Sequence, residues 1–206
     1  MKSVFVTGTD TGIGKTITSA WLCHHWQADY WKPVQSGLED GTDATTVASL
    51  SACRVHPEAY RLSAPLSPHQ SAALDGVHID LKQFVLPKAD RLVVEGAGGC
   101  MVPLNWEHTL LDLMRQLALP VLLVARSGLG TINHTCLSVQ ALRAAKVPVL
   151  GVIMVGVNNA PNRQAIEHFA KVPVLAELPH WRTVNSQALA RHAMPDALHK
   201  ALQDLA

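Results

Sequence analysis

The segment Gly8-Thr9-Asp10-Thr11-Gly12-Ile13-Gly14-Lys15-Thr16 constrains this chain more than any other stretch. It follows a β-branched and aromatic run, Ser3 to Thr7, that reads as a buried strand. It opens onto Lys15 to Gln27, where Ile17, Ala20, Trp21 and His24 recur near a helical period. Strand, glycine-rich turn and helix are the setting that a phosphate-binding loop needs. Glycines let backbone N–H groups turn inward around phosphate oxygens. The helix N-terminus adds partial positive charge. Lys15 can reach the outer phosphates, and the Thr16 hydroxyl can bind Mg²⁺. The general pattern puts a glycine where Thr9 stands, and Gly8 lies one residue earlier. A plain glycine-rich turn at a helix start is the simpler alternative. The position after a strand, with Gly8 and Gly12, favours a nucleotide loop.

The rest of the chain alternates in the same way. Strands are expected at Arg91 to Val94, Val121 to Ala125 and Val147 to Val155, with weaker ones at Tyr30 to Val34 and Val172 to Leu175. Helices are expected at Asp43 to Ala52, Thr109 to Leu119, Thr131 to Ala145 and Arg163 to Ala170. The tail from Ser186 to Leu205 reads as helix interrupted at Pro195. Continuous apolar strands alternating with helices predict an α/β fold, a mostly parallel sheet with helices on both faces, of P-loop NTPase type. Ligands in such sheets bind at the carboxyl ends of the strands. The stretch from Arg54 to Asp75, with Pro57, Pro65 and Pro68, reads as an excursion within one domain covering residues 1–206.

Composition narrows the function classes. The chain has 206 residues, 48% hydrophobic and 16% charged, a globular balance. A net charge of +1 gives no global attraction to nucleic acid or to an anionic membrane, so any anion site is local. No stretch of about 20 apolar residues is present to span a bilayer. The start, Met1-Lys2-Ser3 and then Val4-Phe5-Val6, is too short an apolar run for a signal peptide. Cys23, Cys53, Cys100 and Cys136 form no C-x-x-C pair and read as free thiols in a reducing, cytoplasmic compartment.

Three further residues carry candidate chemistry. Glu95 ends an apolar strand and precedes Gly96-Ala97-Gly98-Gly99, on the same sheet edge as the phosphate loop. It suits a Mg²⁺ ligand, direct or through water, or is a solvated turn residue. Asp43 is a helix cap or first-turn residue, or a second oxygen ligand for Mg²⁺. Lys32, before Pro33-Val34-Gln35-Ser36-Gly37, is a solvated edge lysine or a stabiliser of transition-state charge. Adjacent His24 and His25 point to different faces of a helix and do not suggest a metal site, and Trp21 and Trp26 read as packing residues. Cys100 is not needed as a nucleophile.

Several segments in order resemble the dethiobiotin synthetase family. They are Val6 through Thr16, Trp31 through Gly37, Ser67-Pro68-His69, Val94 through Gly99, Gly130-Thr131-Ile132-Asn133-His134 and Glu177-Leu178-Pro179. The offset Gly8 is a feature of that family. The resemblance implies an ATP-dependent ring closure. 7,8-diaminopelargonate captures CO₂ as a carbamate, ATP phosphorylates it, and the second amine displaces phosphate. It further implies that Lys32, Lys15 and Thr11 act in catalysis. Gly12, Ile13, Gly14, Lys15, Thr16 and Ile17 would hold the nucleotide, with Thr16, Asp43 and Glu95 on magnesium. Gly96, Ala97 and Gly98 would supply backbone contacts, and Pro179, His180 and Trp181 would lie beside the nucleotide. Thr11 and Ser36 would be near the carbamate and diamine. The family works as a homodimer, with Asn133 and His134 near the substrate's carboxylate tail. Neither nucleic acid nor membrane is an implied partner.

One departure stands out. The family usually has an asparagine pair after the fifth strand that reads the adenine edge. Val155 and Gly156 occupy that place here, with Asn158 and Asn159 just beyond. Either the loop is shifted or base recognition is loose, and a weaker preference for ATP over other nucleoside triphosphates is the expectation. Competing readings are a cobyrinate diamide synthase, which would need a glutaminase domain, a MinD- or ParA-like ATPase switch, and a nucleotide-binding regulatory module. The switches carry an extra lysine near the start of the loop, where Thr9 and Asp10 stand here.

Overall fold

A strand whose side chains are apolar on both sides can only lie inside a covered sheet. Four such strands form the centre of this molecule, described for residues 1–39 and 41–205 by a computed structural model. They are β1 (Lys2–Gly8), β6 (Arg91–Gly99), β7 (Val121–Arg126) and β8 (Val149–Val155). The shorter strands are β2 (Asp29–Trp31), β3 (Val34–Ser36), β4 (Val55–His56), β5 (Tyr60–Leu62) and β9 (Val174–Leu178). Seven of them form one sheet in the order β4-β2-β6-β1-β7-β8-β9, with every pairing parallel. Strands β3 and β5 pair separately.

The helices are α1 (Lys15–Trp26), α2 (Asp43–Ser51), α3 (Pro68–Leu74), α4 (Leu110–Leu117), α5 (Thr131–Ala144), α6 (Ala160–Ala170), α7 (Ser186–Arg191) and α8 (Asp196–Gln203). Alternation along each strand sends side chains to opposite faces. Val4, Val6, Val93 and Leu122 pack with Trp21, Val47, Leu189 and Leu198, so α1, α2, α7 and α8 cover one face. Phe5, Leu92, Val94 and Val121 pack with Leu110, Leu113 and Leu142 on the other. Farther along that face, Leu123 and Val152 meet Val139 and Ile166 of α5 and α6. Among the described residues no helix is long and apolar enough to cross a membrane.

Several expected elements are corrected. The strand expected from Tyr30 to Val34 is two strands in two sheets, broken at Lys32-Pro33. Pro33 lacks an N–H and cannot continue the ladder. Its carbonyl instead accepts from the N–H groups of Ala59 and Tyr60. The excursion from Arg54 to Asp75 contains β4, β5 and α3. Strand β6 continues past Glu95 to Gly99, with Gly98 at a positive φ of 77° within it. The strand expected at Val172 to Leu175 starts at Val174, after Pro173, and runs to Leu178. Helix α6 starts at Ala160, before the expected Arg163, because the Asn159 side chain accepts from Asn162 N and Pro161 fits the first turn.

Candidate active site

The nucleotide loop is shaped by contacts that leave little choice of residue. Gly12 and Gly14 have φ of 69° and 97°, backbone space that favours glycine. A Cβ on Gly8 would lie 2.7 Å from Ile13 Cδ1 and 2.9 Å from the Asp10 carbonyl oxygen, which explains the offset glycine. Thr9 N donates to Val124 O at 3.0 Å and docks the loop on β7. Helix α1 begins with Gly14 as N-cap and no side-chain cap, so its first N–H groups face the loop. Lys15 Nζ, buried, donates to Asp10 O at 2.9 Å. Burial lowers the Lys15 pKa and neighbouring Lys32 adds to this, with Glu95 and Asp43 partly opposing.

Beside the loop, three elements bring charges together. The end of β2 delivers Lys32, β6 delivers Glu95 and the first turn of α2 delivers Asp43. Lys32 Nζ forms an ion pair with Asp43 Oδ2 and lies 3.3 Å from Glu95 Oε1. The Thr16 hydroxyl is 2.5 Å from Asp43 Oδ1 and 3.1 Å from Glu95 Oε1, and its one proton serves one carboxylate at a time. Tyr30 OH donates to Glu95 Oε2 at 2.9 Å. Lys32 and Glu95 are 5% and 1% exposed, so neither is the solvated residue of the plainer reading. Burial alone would lower the Lys32 pKa, but Glu95 and Asp43 outweigh it and hold the ammonium charged. Burial would raise the Asp43 pKa, and Lys32 outweighs it, so the carboxyl stays ionised.

The oxygens of Thr16, Asp43 and Glu95 therefore converge, and hard oxygen donors at this spacing suit Mg²⁺. No three His, Cys, Asp or Glu side chains gather as a metal cage among the described residues. A cation here would complete its shell with phosphate oxygens and water, as magnesium commonly does.

A cleft of about 720 Å³ joins the loop to this cluster. From the loop side Thr11, Gly12, Gly14, Lys15, Thr16 and Ile17 line it. From the other side come Lys32, Ser36, Asp43, Glu95, Ala97 and Gly98. Ser36 Oγ is buried without a partner, a hydroxyl left free for a ligand. Ile13 is instead packed in the core. The Gly96 backbone lies against the Phe5 ring. Asn133 and His134 are exposed at the start of α5, away from the cleft lining. Pro179, His180 and Trp181 follow β9 and do not line the cleft either, and Trp181 packs edge-on against His192 at 5.8 Å.

The end of β8 nonetheless abuts the loop, since a Cβ on Gly14 would lie 3.2 Å from Val155. A Cβ on Gly156 would lie 2.3 Å from Ser127 Oγ and 3.4 Å from His180 Nε2. Asn159 caps α6, and Asn162 donates to Ser127 O at 2.8 Å.

Sequence reasoning assigned no role to Gln35, Pro65, Leu66, Ser67, Pro68, Gln70 or Val102, which also line the cleft. Gln35 has a clear task. Its Oε1 accepts from Asp43 N at 3.1 Å, and its amide donates to the carbonyls of Ser36 and Gly37 at 3.1 and 3.2 Å. In the sequence, its place in the run Trp31 through Gly37 was the available signal. The Cys100 thiol is raised by burial and does not line the cleft.

Comparison with known proteins adds an independent line. A family described as AAA domain matches residues 2–188. The ATP-dependent dethiobiotin synthetase BioD of Paramagnetospirillum magneticum is 56% identical over 192 residues, 92% of this chain and 94% of that protein. The protein of the same name from Lawsonia intracellularis is 45% identical over 90% of this chain and 91% of its own length. Among solved structures, the cell division ATPase MinD of Pyrococcus furiosus superposes with a TM-score of 0.60 at 14% identity, covering 100% of both chains. A ParA family ATPase from Chlorobium tepidum gives 0.55, also at 14% identity, covering 99% of this chain and 98% of its own. At that identity the two ATPases share the fold alone.

Proposed function

This chain belongs to the ATP-dependent dethiobiotin synthetase family, and from that premise we infer how its cleft carries the reaction. The enzyme closes the ureido ring of dethiobiotin from 7,8-diaminopelargonate and CO₂ at the expense of ATP, a step of biotin synthesis. One amine bonds to CO₂ and loses a proton, giving a carbamate. A carbamate oxygen takes the γ-phosphoryl group and ADP leaves. The second amine attacks the carbonyl carbon, and phosphate leaves with the ring closed.

The single observation that carries the assignment of roles is Lys32. It is an almost fully buried cation, kept charged by Asp43 and Glu95, in the same cleft as the phosphate loop. Phosphoryl transfer depends mainly on positioning and charge stabilisation. The loop amides and Lys15 bind the outer phosphates. Lys32 faces the transferred group and the carbamate. Thr11 and the unpartnered Ser36 hydroxyl hold the carbamate and diamine. Thr16, Asp43 and Glu95 would hold Mg²⁺, which neutralises charge on the phosphate oxygens. The whole chain acts as one synthetase domain in a cytoplasmic setting, consistent with its four free cysteines.

The test is conversion of labelled bicarbonate to dethiobiotin with the diamine and Mg-ATP. Lys15→Ala should lose the activity. Nucleotide hydrolysis that ignores the diamine would favour an ATPase switch instead.

Base selection follows from Gly156. Ser127 Oγ occupies the space beside it, so no side chain at that position reads the adenine edge. Turnover with CTP and GTP should approach that with ATP more closely than in relatives that carry the asparagine pair, and strict ATP dependence would refute this. We also assign a homodimer built near the start of α5, where Leu129 and Leu137 are exposed and Asn133 can meet the substrate tail. Sedimentation should give twice the chain mass, and Asn133→Ala should raise the diamine KM more than the ATP KM.

A further inference from the structure

We propose that Arg126 is a positioning residue for the reaction, acting through Asp10 on both Thr11 and Lys15. The inference rests on the synthetase reading of the cleft. Neither Arg126 nor Asp10 lines the cleft. Together they connect the centre of the sheet to the nucleotide loop.

The connection runs through named atoms. Strand β7 lies beside β1, with Gly8 opposite Val124, and on its other side Arg126 is in register with Val155 of β8. The backbone of Arg126 is therefore fixed by the sheet. Two residues before it, Val124 O accepts the Thr9 N–H at 3.0 Å, so the loop leaves β1 already docked on β7. Arg126 Nη2 then reaches Asp10 Oδ2 at 2.5 Å. The other carboxylate oxygen, Asp10 Oδ1, accepts the Thr11 N–H at 2.7 Å. The Asp10 carbonyl accepts Lys15 Nζ at 2.9 Å. One residue of the loop is thus held at three points, and two of those points belong to groups that face the nucleotide and the carbamate.

The ion pair contributes little to global stability. Its side chains are 42% and 52% exposed, and exposed pairs are weak because water screens them. Its effect is local. Gly12, just beyond, has a positive φ and an open surrounding, so nothing packs against the loop between Asp10 and the buried Ile13. With Asp10 released, the peptide that carries its carbonyl can rotate, and Lys15 loses the acceptor that aims its ammonium along the loop. Phosphoryl transfer is sensitive to displacements of this kind.

A double-mutant cycle tests the proposal, read by nucleotide Kd from calorimetry and by kcat/KM for ATP. Arg126→Ala should raise the Kd and lower kcat/KM by about tenfold each, with Tm unchanged. Arg126→Lys, which keeps the charge, should recover part of both. Asp10→Asn keeps an acceptor for the Thr11 N–H and loses the ion pair, and it should show the same loss. In the Asp10→Asn background, Arg126→Ala should add nothing further. Additive losses would overturn the proposal, because Arg126 would then touch the nucleotide itself. So would an unaltered Kd and kcat/KM, or a loss that follows a fall in Tm. Wild-type protein that binds ATP but forms no dethiobiotin would sink the synthetase reading alone, and the calorimetric arm would still decide the role of Arg126.

Discussion

Lys32 has almost no access to water and two carboxylates for company. Truncating it leaves the buried Glu95 and the half-buried Asp43 carboxylates without their shared cation, a costly arrangement. Lys32→Gln keeps much of the volume and a donor and removes the charge. We expect it to lower kcat by about 10²–10³, the usual effect of losing one well-aimed transition-state donor. A steady-state assay checks this, and an unchanged kcat would reject Lys32 as the stabiliser. Tyr30 lies behind Glu95 and gives it a hydrogen bond. Tyr30→Phe leaves a buried carboxylate oxygen short of a donor, at about 1–3 kcal/mol. It should also shift the Mg²⁺ activation curve to roughly tenfold higher concentration, as loss of a partner behind a metal ligand does. An activation curve that stays in place would separate Glu95 from the metal. Lys32 and Glu95 were singled out in the sequence because each follows a short strand run, Asp29-Tyr30-Trp31 and Leu92-Val93-Val94. Tyr30 and Arg126 were not, because their partners lie 65 and 116 positions away along the chain, and Gln35 was not, because its task depends on the Pro33 break that turns it toward Asp43 N.

Helix α4 shows how a local signal sets an element. Thr109 precedes it, and the Asp112 carboxylate reaches back to accept from Thr109 N at 2.9 Å and from its hydroxyl at 3.0 Å. The backbone donor is the main reason that the Asp112 pKa falls below its usual value, with burial opposing it. The folded pKa lies below the unfolded one, so this stabilisation is fully present above the unfolded pKa and is lost as pH falls through the folded pKa. Asp112→Ala should cost about 1 kcal/mol near neutral pH. The gap to wild type should close in acid, and denaturant unfolding at several pH values measures it. A gap that persists at low pH would assign the effect to packing. The Lys32-Pro33 break is the opposite case. The β-rich composition around it suggested one strand, but Pro33 splits the run and sends Val34 to Ser36 to pair with β5. That diversion brings Gln35 and Ser36 over the cleft.

At the scale of the whole molecule, the site is a meeting of β1, β2, β6, α1 and α2, so nucleotide binding couples to unfolding of the complete domain. At 100 times its Kd, Mg-ATP should add about 2.7 kcal/mol of stability. For a chain of this size that is about 5–10 °C in Tm. Calorimetry should record the shift for wild type and little of it for Lys15→Ala. A full shift in the variant would remove Lys15 from the phosphates.

The chain determined by itself whatever depends on near neighbours. The apolar runs dictated covered parallel strands, and the glycines before Lys15 dictated a turn with positive φ at Gly12 and Gly14, because burial and backbone freedom act over a few residues. Only the tertiary structure decided which side chains share a site. Thr16 meets Asp43 across 27 positions and Glu95 across 79. That meeting follows from β6 lying between β1 and β2. Strand order is settled by how whole faces pack and how crossovers close, which no local periodicity encodes.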